Sequence, residues 1–254
     1  MDELVHREVA DGVATITLDS PANRNALSAR LLRELAAHLD AALGRADARV
    51  VVLTHTGPAF CAGMDLREAG GAGAGDQAVA ALPAVLETLW TASVPVVARL
   101  AGAVRGGGIG IVAACDIVLA AREVTFAFPE VRLGVVPAVV SATVLPRLRP
   151  RDAQELFLTG EGVDAARAVE IGLVSRAVDG LDALDAEVDR IVAMLRLGAP
   201  GAVAATKAML RRARPSLAAD LEELSALSAA HFAGAEGQEG IRARAERRPP
   251  SWAR

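Results

Sequence analysis

Gly106, Gly107 and Gly108 stand in a row inside the stretch LAGAVRGGGIGIVAACD, residues 100 to 116. The apolar run Pro95 to Leu100 before them predicts a buried strand, and the apolar run after them a buried helix. A helix start leaves backbone N–H groups without internal partners and carries partial positive charge. Glycines remove the side chains that would keep a ligand away from those groups. The stretch can therefore present donors to a phosphate or an oxyanion. Three readings are open. One is tight strand-to-helix packing with no ligand. Another is dinucleotide binding, since Gly108, Gly110 and Ala113 fit G-x-G-x-x-A, although this unit lies mid-chain. The third is half of an oxyanion hole, which requires a second donor loop and a proton-transfer group.

The chain offers both. HTGPAFCAGMDLRE, residues 55 to 68, predicts a loop at Gly57-Pro58 that runs through small residues to a helical turn beginning at Asp65. A loop ending at a helix start again exposes backbone donors. Glu130 follows a short strand and Pro129, among Phe126, Phe128, Val131 and Leu133. Desolvation there would raise its pKa, as a general acid–base group requires. The bland alternative is a solvated turn residue.

The elements that must position these groups follow from the sequence pattern. Val13 to Leu18 pairs with Leu4 to Ala10 through the hairpin signal Asp11-Gly12. Ser28 reads as the N-cap of a helix carrying Leu31, Leu35, Leu39 and Ala42 and closed by Gly44. Strands are expected at 49–54, 117–120, 124–128 and 173–178, with a helix over 76–91. Helices are expected over 151–159, 164–171, 181–197, 201–214 and 217–232, and a last segment spans 237–248. Ala69 to Gly75, AGGAGAG, reads as a flexible segment, either an inert linker or a lid. The shift from strand-rich to all-helical sequence divides the chain into a core, 1–199, and a helical C-terminal module, 200–254.

Composition bounds the function. The chain has 254 residues, 52% apolar, with formal net charge −4, which argues against nucleic acid as the main partner. No uncharged run is long enough to predict a membrane span. The acidic start lacks a signal peptide's apolar core, and Cys61 and Cys115 lie far apart. Together these features suggest a reducing, cytoplasmic setting with no structural zinc. Tyrosine is absent, and the four histidines form no motif.

With both glycine segments and Glu130 placed, the sequence resembles the crotonase superfamily, the enoyl-CoA hydratase/isomerase family. PANRNALS is similar to that family's first coenzyme A loop, AFCAGMDLRE to its first oxyanion loop, LAGAVRGGGIGIVAACDIVLA to its second, and FAFPEVRLGVVPA to its catalytic turn. LTGEGVDAARAVEIGLVSRAV, GAVAATKAML and EGIRARAERRPPSW match the C-terminal half in order, so the resemblance covers essentially the whole chain.

The resemblance implies an α/β crotonase (ClpP-like) spiral of ββα units. The helical C-terminal part would be a trimerisation module, giving homotrimers or hexamers. It implies an acyl-CoA substrate, with coenzyme A part of the substrate and no separate cofactor or metal. By position, the N–H groups of Met64 and Gly107 would bind the thioester oxygen, and Glu130 would transfer protons. Arg24, Ala26, Ala62, Asp65 and Leu66 would hold the coenzyme, with Arg24 at its phosphates. Gly106 and Gly110 would lie at the substrate, and Arg247 matches a basic position that reaches a neighbour's ligand.

Family hydratases commonly carry two glutamates. The first would fall where this chain has Gly110. Another family carboxylate position is Ala138, which disfavours the dienoyl isomerase and aryl dehalogenase branches. One carboxylate suits a 1,3-proton shift and also occurs in hydratase-like branches. The expectation is thus an enoyl-CoA hydratase-type enzyme. The alternatives are a Δ3,Δ2-enoyl-CoA isomerase, a catalytically impaired acyl-CoA-binding homologue, or a nicotinamide dehydrogenase built on G-x-G-x-x-A. Arg105, just before the glycines, stands where the family is mostly apolar. It would reach solvent, a carboxylate partner or an acidic acyl group.

Overall fold

A computed structural model describes residues 3–44, 48–65, 67, 74–210, 217–248 and 250. Strand β1 (Val5–Ala10) and strand β2 (Val13–Leu18) form an antiparallel hairpin in the register Ala10↔Val13. Asp11 and Gly12 both have positive φ, 50° and 76°, the geometry of a two-residue primed turn. Alternation along β2 places Ala14, Ile16 and Leu18 in the core.

Helix α1 (Ala29–Leu43) starts where Ser28 Oγ accepts a hydrogen bond from the Leu31 N–H at 3.1 Å. Its stripe Leu31, Leu32, Leu35 and Leu39 is fully buried. Strand β3 (Val50–His55) then runs parallel to β2.

From here the chain repeats one device. Strands β3 and β4 (Ala59–Cys61) are followed by helix α2 (Ala74–Thr91). Strands β5 (Val96–Leu100) and β6 (Ala103–Arg105) are followed by helix α3 (Gly107–Ala114). Strands β7 (Ile117–Ala121) and β8 (Thr125–Ala127) lead through a 3-10 turn, Pro129–Leu133, to helix α4 (Ala138–Val144). In each pair the first strand joins a large sheet and the second a small one. Among the described residues the large sheet has the order β1-β2-β3-β5-β7-β10, with only β1 antiparallel. The small sheet has the order β4-β6-β8-β9, with β9 antiparallel. This is a spiral of ββα units.

Beyond α4 the elements among the described residues are helices apart from β9 (Val163–Asp164) and β10 (Arg176–Val178). Helices α5 (Pro150–Thr159), α6 (Ala165–Glu170), α7 (Leu181–Leu197) and α8 (Pro200–Leu210) follow one another. Helices α9 (Leu217–Ala233) and α10 (Ala235–Ala245) end the described chain. They fold back onto it: α9 packs on α2 and α4, and α10 on the 129–133 turn. No single helix among the described residues is long and apolar enough to cross a membrane.

Several elements differ from expectation. Strands β4 and β9, of three and two residues, are too short to show a period. Strand β6 intervenes between β5 and the glycine run, because Ala101-Gly102 turns the chain from the large sheet into the small one. Helix α4 carries no periodic signal, since Ala138, Val139, Val140, Ala142, Thr143 and Val144 are all buried. Of the glycine-alanine segment, residues 69–73 lie outside the described residues, and Ala74 and Gly75 already belong to α2.

Candidate active site

Three loops leave the ends of the strands on one side of the sheets and meet around a cavity of about 770 Å³. The first, Ser20–Leu27, holds Arg24 and Asn25 in left-handed conformations, φ 58° and 53°. It is tied to the second by the Ala62 N–H, which donates to Arg24 O at 3.0 Å. Leu27 and Met64 form a parallel bridge. The Leu27 N–H donates to Gly63 O at 2.8 Å, and the Asp65 N–H donates to Leu27 O at 3.2 Å. In that pattern the residue between the two bonded positions turns its own N–H away from the partner strand. The Met64 amide accordingly has no protein acceptor among the described hydrogen bonds.

The third loop supplies a matching donor. Gly106 caps α3 with φ 49°, ψ −119°, and its N–H donates to Ala127 O at 3.1 Å. Gly107 is the first residue of α3, so its N–H has no intrahelical partner. Met64 and Gly107 both line the cavity, and a β-carbon at 107 would lie 3.7 Å from Met64 Sδ. Cys61 joins the two loops from below. Its Sγ accepts from the Gly63 N–H at 3.3 Å, and it lies 2.8 Å from where a Gly108 β-carbon would be. Burial pushes the Cys61 thiol up to about 12, so it serves as packing and not as a nucleophile.

Glu130 sits in the 3-10 turn after β8 and points back at these loops. A β-carbon at Gly106 would lie 2.9 Å from Glu130 Oε1 and 3.7 Å from Gly63 Cα. Glycine at 106 therefore accommodates the positive φ and clears space for the carboxylate. Glu130 Oε2 is buried without a hydrogen-bond partner among the described residues. Desolvation raises the Glu130 pKa to about 7, opposed only by a bond to its own backbone. A carboxyl group poised near neutrality beside two free amide donors has the properties of a general acid–base group.

The remaining lining is strongly cationic. Arg24, Arg105, Arg132, Arg244, Arg247 and Arg248 line the cavity, and Glu130 is the one carboxylate among the described lining residues. Arg248 is paired with Glu239 and Glu246. Arg132 donates to Thr159 O at 2.8 Å. The guanidinium groups of Arg24, Arg244 and Arg247 have no acceptor among the described contacts. Such a rim suits a polyanionic ligand. Phe232 and Ile241 add apolar surface from the C-terminal helices.

The structure thus brings together Arg24, Ala62, Met64, Gly106, Gly107, Glu130 and Arg247 on one cavity. Arg247 lines the cavity of its own chain. Ala26 is buried beside Leu27, outside the lining. Asp65 is buried and bonds Arg67 through its N–H, Nε and Nη2. The guanidinium and the Asn23 amide hold its carboxyl below the usual range despite desolvation. Leu66 lies outside the described residues.

Gly110 is not among the described lining residues, and a β-carbon there would lie 2.7 Å from Val140 Cγ1 and 3.0 Å from Val140 Cβ. Val140 of α4 thus occupies the space into which a side chain at 110 would extend. Arg105 is half-buried, lines the cavity and pairs with no carboxylate among the described residues. Its guanidinium donates to Val104 O, Thr125 O and Thr125 Oγ1, stitching β6 to β8.

Sequence reasoning missed Gly240. A β-carbon there would overlap Leu133 O at 1.8 Å, so α10 lies directly on the catalytic turn. No distinct signal marked it, because the same helix also carries Ala235, Gly237, Ala243 and Ala245.

The family model described as "Enoyl-CoA hydratase/isomerase" matches residues 8–254. A "Probable enoyl-CoA hydratase" of Rhodobacter capsulatus is 32% identical over 97% of this chain and 96% of its own length. The crystal structure of an enoyl-CoA hydratase from Mycobacterium avium superposes with TM-score 0.88 at 40% identity, covering 99% of this chain and all of that one. An enoyl-CoA hydratase of Mycobacterium smegmatis gives TM-score 0.79 at 30% identity, with both chains fully covered. Three free-standing features of one cavity, the paired amides, the poised carboxylate and the cationic rim, coincide with that match over the whole chain, which belongs to the enoyl-CoA hydratase/isomerase family of the crotonase superfamily.

Proposed function

We propose that this chain binds an acyl-CoA thioester in the cavity and acts as an enoyl-CoA hydratase-type enzyme, with Glu130 its only proton-transfer group. The observation that carries this reading is the buried, unpartnered Glu130 Oε2 beside the two free amides. The thioester oxygen accepts hydrogen bonds from the Met64 and Gly107 N–H groups. Those donors stabilise the enolate that forms when charge moves onto it. In hydration the Glu130 carboxylate takes a proton from water as the water oxygen bonds to the β-carbon. It then returns that proton to the α-carbon. Atoms balance with no oxidant and no metal, so the reading requires no cofactor beyond the substrate's own coenzyme A. Arg24, Arg244 and Arg247 are the cations for its phosphates.

A second reading, double-bond isomerisation, is favoured by a specific observation: Val140 fills the space of a second carboxylate at Gly110. One base can take a proton from the α-carbon of a 3-enoyl-CoA and return it to the γ-carbon. We further infer that residues 200–254 contribute to a homotrimer or hexamer. Met209 and Leu210, at the end of α8, are 58% and 76% exposed, apolar side chains that a neighbouring subunit would cover. Two cysteines far apart in sequence, Cys61 and Cys115, suit a reducing, cytoplasmic setting.

The test assays parent and Glu130→Gln on a 2-enoyl-CoA for hydration and on a 3-enoyl-CoA for isomerisation. The proposal expects the parent to hydrate and the variant to be inactive in both with affinity retained. A parent that isomerises but barely hydrates supports the second reading. A Glu130→Gln variant that still turns over removes Glu130 from the mechanism. An inactive parent that retains coenzyme A would mark a binding protein.

A further inference from the structure

His55 is buried, 8% exposed, at the end of β3 and lines no part of the cavity. Its Nδ1 lies 3.2 Å from Thr56 O, and its Nε2 lies 3.1 Å from the Ala101 N–H. A carbonyl accepts only, so Nδ1 carries the proton, and the Nε2 lone pair accepts from Ala101. The ring packs edge-on against Phe60, 5.7 Å between centroids.

These contacts join two segments with different destinations. Thr56 opens the segment that ends at Met64. Ala101 opens the turn from β5 into β6, which ends at Gly107. The two segments touch again where the Ala103 N–H approaches Pro58 O at 3.4 Å. Asn25, fully buried, completes the knot. Its Nδ2 donates to Thr56 O at 3.0 Å and to Ala59 O at 2.8 Å, anchoring the first loop to the same carbonyls.

We propose that His55 is a positioning residue of the oxyanion hole: as a neutral acceptor for the Ala101 N–H, it fixes the spacing of the Met64 and Gly107 donors. This rests on the oxyanion reading above. Burial, assisted by the Arg99 charge, keeps the imidazole neutral against the bonds to its carbonyl neighbours. A neutral ring is what the Ala101 bond needs. Two donors act together only when both meet one oxygen, and misplacement by about 1 Å costs on the order of 100-fold in rate. The residue does not touch substrate, so its loss should fall on kcat and spare ground-state binding.

Three variants test this in the full-length protein. His55→Gln places an amide oxygen where Nε2 was and keeps an acceptor for Ala101. His55→Asn is too short to reach Ala101 but stays polar. His55→Leu removes the acceptor. The readouts are kcat and KM on the acyl-CoA that the parent turns over, and the thioester C=O stretch of bound acyl-CoA by isotope-edited infrared spectroscopy. The parent should show a stretch lowered from its solution value, and Gln should match the parent. Asn, and Leu where it folds, should lose about 10- to 100-fold in kcat with KM changed by less than roughly threefold, and their stretch should move back toward solution. Asn with parental kcat and stretch overturns the proposal. Gln failing together with Asn also overturns it, since ring packing would then carry the effect. A parent that binds acyl-CoA with an unshifted stretch overturns the oxyanion reading, and this proposal with it.

Discussion

Glu130→Gln should change stability as well as activity, and the change should depend on pH. Desolvation raises the Glu130 pKa from 4.5 to about 7 in the folded chain. Below pH 4.5 the group is protonated in both folded and unfolded states and contributes no pH dependence. Between the two values the folded state holds a proton that the unfolded state has released, so stability falls as pH rises. Above about 7 the native state carries a buried carboxylate. The interval is about 2.5 pH units, and at 1.36 kcal/mol per unit the cost approaches about 3 kcal/mol. Glutamine cannot ionise and escapes it. Equilibrium denaturation of parent and variant should therefore be compared at pH 5 and pH 9. The variant's advantage should grow by about 3 kcal/mol across that range, whatever constant offset the amide introduces. A difference between the two proteins that stays flat from pH 5 to pH 9 would refute the account of a strongly desolvated carboxylate.

Other expectations follow from packing. Gly110→Ala should cost about 1–3 kcal/mol by denaturant unfolding, because the new methyl meets Val140 at 2.7 Å. Gly110→Glu should raise no hydration activity and should lower stability further. Gly240→Ala should displace α10 from Leu133 O and raise KM for acyl-CoA, because Arg244 and Arg247 move with that helix. Light scattering should give a trimer or hexamer at micromolar concentration, and a monomer would count against the assembly reading. kcat/KM should rise with pH through about 7, since the reaction begins with ionised Glu130, and a pH-independent profile would contradict that step.

The sequence was most legible where local chemistry is strict. Asp11-Gly12, Ser28 and Gly106–Gly108 each demand a particular backbone, and each turned out as a hairpin turn, a helix cap and a helix start. Glu130 stood out as a charge in an apolar stretch. Helix α4 was not legible, because burial on all sides erases the period that marks a helix. The crowding at Gly110 was hidden for the same reason: it comes from Val140, a residue of the element that was not foreseen. The reach of Arg247 depends on how the last helices fold back, which is set by tertiary packing on α2, α4 and the 129–133 turn. His55 showed no motif because its partners are backbone groups, and backbone leaves no trace in residue type.

In the proposed reaction Glu130 moves protons at the α-carbon of a thioester whose oxygen is held by the Met64 and Gly107 amides. Deuterium incorporation at the α-carbon of a saturated acyl-CoA, followed in heavy water by mass spectrometry, tests that step without choosing between hydration and isomerisation. The account predicts exchange by the parent, and exchange at background by Glu130→Gln with the acyl-CoA still bound. Exchange that persists in the variant, or is absent from a parent saturated with thioester, would contradict it.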